Sequence, residues 1–228
     1  MDTKLWLIWK EPKERRRYII GELLYDGSIY RFKYINPELN SAKEKGLDFF
    51  PGFNEIDKEY ESTTGLFSNI ESRLPNTSRP EYLEILNTYD LEPNASQIEI
   101  LKKTKGRLLT DNFEFVPEFD KNKIEFEIAG TRHTKDFKRY KKIFEINDNL
   151  ILEREPENEF DENAIKVLCK KNGKIYMLGY VPRFYSKELT QMLKNNTEYS
   201  AQIKYLNFET KLSDEDITVN VKLIFSSK

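Results

Sequence analysis

From residue 124 to residue 225 the chain repeats one pattern: a short run of alternating or β-branched apolar residues, then a turn signal. Strands are expected at residues 124–129, 149–154, 164–169, 174–180, 199–208 and 217–225. Asn172-Gly173 is a strong hairpin signal between two of them, because both residues tolerate the positive φ of a tight turn. One helix, residues 186–194, interrupts the series, with Leu189, Met192 and Leu193 on its inner side. Many short strands with one or two helices fit a small OB-like barrel. Such a barrel is expected to be closed or nearly closed and to bury Phe126, Ile151, Ile165, Val167, Leu178 and Leu193.

The first half mixes its patterns. Strands are expected at residues 5–9, 17–24 and 28–34, with Asp26-Gly27 turning between the last two. Tyr30, Phe32 and Tyr34 alternate with Arg31 and Lys33, so one strand face carries three aromatic rings. Helices are expected at residues 37–45, 67–73, 79–89 and 96–103, the last opened by a Ser96/Glu99 capping box. Residues 47–64 lack a period, and Phe49, Phe50, Phe53 and Tyr60 are expected to pin them to the core. Phe113-Glu114-Phe115-Val116-Pro117 reads as a strand ended by proline. The polar run Asp120-Lys121-Asn122-Lys123 marks the boundary, giving an α+β chain with domains 1–120 and 121–228.

Composition limits the functional classes. Apolar residues are 38% of the 228, a low share that 15 Phe and 13 Tyr partly offset. No run of 18 apolar residues suggests a membrane-spanning helix, and the first ten residues lack a signal-peptide pattern. A single cysteine, Cys169, excludes an internal disulfide and a cysteine-cluster metal site, and a cytoplasmic setting is expected. Residues 1–120 hold 17 Lys and Arg against 22 Asp and Glu, a balance of −5; residues 121–228 hold 20 against 17, or +3. A nucleic-acid partner would therefore be gripped at a local site and not by a broad positive field.

Three islands in the second half carry more information. They are Ile128-Ala129-Gly130-Thr131-Arg132-His133, the run from Leu152-Glu153-Arg154-Glu155-Pro156 through Asn158-Glu159-Phe160-Asp161-Glu162-Asn163-Ala164-Ile165, and Leu178-Gly179-Tyr180-Val181-Pro182-Arg183. In this order they resemble a HIRAN domain, a small β-barrel module found alone in bacteria and on some DNA-remodelling ATPases. The resemblance spans about residues 124–225 and implies a surface that grips single-stranded DNA, including its 3′ end.

The resemblance implies roles that the side chains can chemically support. A guanidinium such as Arg132 can fork onto phosphate, and the His133 ring can stack on a base, although His133 stands where DNA-binding members commonly have Tyr. Asn158 can read base edges, Phe160 can act as a stacking platform in place of the family's Tyr, and Asp161 can accept a hydrogen bond from a sugar hydroxyl. A carboxylate repels phosphate, so Asp161 suits a 3′-hydroxyl end. Tyr180 and Arg183 would hold phosphates, with Lys166 and Lys187 assisting. The residues alone also admit a plainer reading: Pro156, Asn158 and Asp161 are turn formers, and Glu153, Glu155, Glu157, Glu159 and Glu162 make the loop acidic.

The first half has its own resemblance. Gly21-Glu22-Leu23, Tyr30-Arg31-Phe32-Lys33-Tyr34, Leu66-Phe67-Ser68-Asn69, Arg73-Leu74-Pro75 and Thr104-Lys105-Gly106-Arg107 are similar to the N-terminal subdomain of HipA-type toxin kinases over about residues 5–118. No phosphate-binding glycine loop or catalytic Asp/Asn pair follows, so kinase activity is not implied. The expectation is a non-enzymatic protein without cofactor or metal, in which a HIRAN-like barrel binds single-stranded DNA or DNA ends and a HipA-like module meets a protein partner. The alternatives are a regulatory partner of a HipA-type kinase system without DNA binding, and a nuclease with an unrecognised carboxylate site.

Overall fold

Residues 2–36, 38–207 and 218–226 are described by a computed structural model, apart from the side chains of Arg132, Asp136, Phe137, Lys138 and Lys141. The chain divides into two units, residues 1–118 and 119–228.

The first unit is built on an antiparallel sheet of five strands: β1 (Thr3–Lys10), β2 (Arg17–Tyr25), β3 (Tyr30–Tyr34), β4 (Tyr60–Ser62) and β5 (Phe113–Pro117). Their order across the sheet is β4-β3-β2-β1-β5. Strand alternation puts Leu5, Leu7, Trp9, Leu23 and Phe32 on one buried face, and the β-bulge in β2 opposite Leu7 and Ile8 brings Ile20 into the same core. Helices α1 (Glu38–Glu44), α2 (Ser68–Glu71), α3 (Tyr82–Thr88) and α4 (Gln97–Thr104) follow in the chain. Leu39, Ala42, Ile70, Ile98 and Leu101 from three of them enter the core. The expected capping box forms: the Ser96 side chain accepts from the Glu99 N–H and the Glu99 carboxylate accepts from the Ser96 N–H at 2.8 Å, while the Ser96 hydroxyl also donates to Glu99 at 2.6 Å.

The aperiodic residues after α1 are pinned by rings. Phe53 stacks on Phe32 at 4.2 Å, and Phe50 meets Phe115 edge to face at 5.7 Å. The buried Tyr34 hydroxyl donates to the Phe53 carbonyl at 2.7 Å and accepts from the Phe50 N–H at 2.8 Å. Burial pushes this phenol up to about 12. Arg73 is a second pin. Its side chain is only 3% exposed, and it donates to both Asp111 oxygens at 2.7 Å and to the Gly106 carbonyl at 2.7 Å. Its guanidinium also lies over the Phe50 ring. Glu114 is buried between Arg17 and Arg107; burial acts to raise its carboxyl, but the two guanidinium charges hold it well below the usual range.

The second unit contains two antiparallel sheets of three strands. One has the order β10-β11-β6, from β6 (Lys123–Glu127), β10 (Tyr199–Asn207) and β11 (Thr218–Phe225). The other has the order β7-β8-β9, from β7 (Leu150–Arg154), β8 (Ile165–Lys171) and β9 (Lys174–Tyr180). Asn172 and Gly173 both take positive φ, so the β8–β9 turn is the one expected from sequence. Helix α5 (Lys135–Tyr140) lies between two short 3-10 turns, Thr131–His133 and Lys141–Ile143, and α6 (Arg183–Lys194) follows β9.

Of the closed or nearly closed barrel expected, the closed form is not found in the described part of the chain. Among the described residues the two sheets meet through single bridges, Ala129 with Tyr180 and Asn149 with Gln202, and no continuous ladder joins them. The core expectation holds for Phe126, Ile165, Val167 and Leu178. It fails for Ile151, which is 40% exposed, while Leu150 and Leu152 are buried. Pairing of Leu152 with Val167 fixes that parity, because both neighbours of Ile151 must then point inward. Leu193 is half-buried near the end of α6. No helix among the described residues is long and apolar enough to cross a membrane.

Candidate nucleic-acid interface

Between β7 and β8, residues 155–164 fold back on themselves through their own polar side chains. The Asn158 amide oxygen accepts from the N–H groups of Phe160 and Asp161 at 3.0 and 3.1 Å. Asp161 accepts from the Asn163 N–H at 2.9 Å through one oxygen and from the Ser186 hydroxyl at 2.8 Å through the other. Thr190 donates to the Asn163 carbonyl at 3.0 Å, so two hydroxyls of α6 dock the loop. Asn158, Asp161 and Asn163 thus form the loop as turn residues do. The turn leaves Phe160 at its tip with the ring 83% exposed.

Glu155 organises the other side of the loop. Its carboxylate accepts from Lys166 at 2.6 Å, the Asn158 amide at 2.7 Å and the Tyr180 hydroxyl at 3.0 Å. The hydrogen bond from Lys166, ahead of those from Asn158 and Tyr180, holds the Glu155 carboxyl below its ordinary range. Burial, with Glu155 beside it, pushes Tyr180 up to about 12, so this hydroxyl keeps its proton at neutral pH. Lys166 and Tyr180 are direct cross-strand partners, which is why one carboxylate reaches both. Lys166 is therefore committed to Glu155 and is not a spare cation.

The remaining expected residues arrive by two routes. Tyr180 exchanges both backbone bonds with Ala129 at 2.8 Å, and Gly130, at φ 74°, then turns the chain into Thr131–His133. His133 is exposed on that turn, while the Arg132 side chain lies outside the described residues. Arg183 opens α6 and donates to the Phe160 carbonyl at 3.1 Å, which sets a half-buried guanidinium beside the loop tip. Lys187 is exposed one turn further along α6.

Asn158, Phe160, Asp161, Lys166, Tyr180 and Arg183 are thus brought to one loop–helix junction, and His133 stands on the turn that follows the Tyr180 bridge. Glu155, Ser186 and Thr190 belong to the same network, although the sequence does not single them out. The one signal for Glu155 is its parity: it follows Arg154 on the strand face that also carries Glu153 and, across the ladder, Lys166. Among the described residues no group of His, Cys, Asp and Glu is placed to hold a metal ion.

This junction lies within residues 121–227, which match the family model described as the HIRAN domain. The second unit thus carries a HIRAN domain, as its three sequence islands imply. The HIRAN domain of human HLTF, known from a crystal structure, is 18% identical, with a TM-score of 0.35, over 46% of this chain and 74% of that one. A crystal structure of a protein from Lactobacillus plantarum is 17% identical, also with a TM-score of 0.35, over 45% of this chain and 92% of that one. No curated protein matches the chain.

Proposed function

We propose that the HIRAN unit binds single-stranded nucleic acid, DNA in the first instance, and takes a 3′ end at the Phe160 loop. The observation that carries this reading is the ring of Phe160, 83% exposed on a loop that is otherwise tied down by hydrogen bonds. An aromatic ring presented to water from a backbone tied in place is a stacking surface, and Arg183 stands beside it for a phosphate. The loop's remaining carboxylates disfavour phosphates, so the strand is held through its bases and through an end that lacks one. Each carboxylate oxygen accepts two bonds, so Asp161 keeps acceptor capacity for a sugar hydroxyl beyond its bonds to Asn163 and Ser186.

Phe160→Ala is expected to weaken binding of a single-stranded oligonucleotide by about 1–3 kcal/mol, the range for losing a stacking platform. Fluorescence anisotropy measures it, and an unchanged affinity would count against the loop as the binding surface. Blocking the 3′ hydroxyl of the oligonucleotide with phosphate is expected to weaken binding further. Equal affinity for free and blocked ends would remove the end-capture part of the reading.

The first unit is proposed as a HipA-like interaction module for a protein partner, in a bacterial cytoplasm, and the whole as a binder and not an enzyme. Leu109 at 78% exposure, with Leu83 and Leu108, supports this second contact, since a partner would cover these side chains.

A further inference from the structure

The outward face of the β7-β8-β9 sheet continues past the residues used so far. Its pleats follow from the register. Glu153, Lys166 and Tyr180 lie across from one another in one row; Ile151, Leu168 and Met177 form the next. Beyond them Lys170 pairs with Ile175. Leu168 is buried at the centre of its row, but Ile151 beside it is 40% exposed and Met177 half-buried, and Ile175 in the next row is 59% exposed, so apolar surface lies open beside the row that carries Lys166 and Tyr180. The separation is one pleat, about 7 Å along the strands.

We propose that this apolar row is a second subsite for the same single strand, with one or two bases of the chain leading to the bound end lying on Ile151 and Met177. The inference rests on the reading of the HIRAN unit as a single-strand binder. Three features select the occupant. The row is continuous with the residues that surround the Phe160 loop. On β8 the apolar Leu168 is followed on the same face by the exposed Lys170, so a ligand that is apolar along its centre and anionic along one edge fits. A methionine thioether and an isoleucine side chain also suit the flat faces of bases without selecting among them. A second copy of the chain fits less well, because a two-fold pairing of this face would bring the lysines of both copies, Lys166 and Lys170, onto one another's apolar row.

The test uses the full chain and oligodeoxythymidylates of about three and about eight nucleotides, the shorter below and the longer within the roughly 4–16 nucleotides that single-strand sites span. Wild type is expected to bind the longer strand more tightly. Ile151→Ser combined with Met177→Ser is expected to leave the shorter strand within about twofold and to weaken the longer one about tenfold. Ile151 is exposed and Met177 half-buried on strands whose inner faces are unchanged, and circular dichroism checks that the fold is kept. Equal losses on both lengths, or no loss on the longer, would overturn the second subsite while leaving the end site standing. So would a wild type that gains nothing from the added length. Wild type that binds neither strand would overturn the single-strand reading and this inference with it. A dimer by sedimentation velocity that the double variant dissolves would overturn the subsite too, and would assign the row to a second copy of the chain.

Discussion

Arg73→Ala is expected to destabilise the first unit by about 3–5 kcal/mol, the cost of removing one partner from a buried ion pair. The guanidinium is the shared partner of three segments. It forks onto Asp111, binds the Gly106 carbonyl that follows α4, and covers the Phe50 ring. Alanine would leave the Gly106 carbonyl without this donor and a cavity against Phe50. Arg73→Lys is expected to recover little, because a single ammonium cannot satisfy both Asp111 oxygens and Gly106 in one plane. Denaturant titration measures the shift, and a loss below about 1 kcal/mol would show that the contacts are dispensable.

Gly179→Ala is expected to cost the second unit about 3 kcal/mol, through overpacking and backbone strain together. A Cβ at this position would lie 2.4 Å from the Ala129 carbonyl oxygen and 2.6 Å from a methyl of Ile128. The residue also holds φ at +151°, where a side chain is disfavoured. It sits beside the Ala129–Tyr180 bridge, where the two sheets of the HIRAN unit touch. The substitution should therefore loosen the seam and reduce binding at Tyr180 along with stability. Thermal unfolding within about 1 °C of wild type would show that the close approach is not required.

How legible these features are in the sequence depends on how local their causes are. Strands β1, β5, β8 and β9 are readable because alternation, a terminal proline and an Asn-Gly turn are local signals. The helical turns over residues 131–143 are not, since Lys135, Lys138, Arg139, Lys141 and Lys142 crowd out any clear apolar stripe. Ile151 is misleading because Leu150-Ile151-Leu152 is apolar at every position, and only pairing with β8 decides which residue faces out. The sheet seams likewise depend on partners more than 50 residues apart.

The candidate site divides in the same way. Phe160, Tyr180 and Arg183 stand out through the family resemblance, and their meeting depends on the β8–β9 register and on α6. In the sequence Glu155 looks like one more repulsive charge in an acidic loop. Its role emerges only when Lys166 and Tyr180 are seen to share its carboxylate. That pairing also changes the electrostatic expectation, because Lys166 is already neutralised where it stands.

Titrating the intact chain with a single-stranded oligonucleotide across a series of salt concentrations decides whether the Phe160 loop belongs to a single-strand binding site. With Lys166 neutralised by Glu155, few cations stand near the Phe160 loop, and a site that neutralises about 2–3 phosphates gives a log–log slope of about −1.4 to −2.1. The account predicts measurable binding with a slope in that range, and weaker binding to duplex of the same length. No detectable single-strand binding at low salt would contradict it.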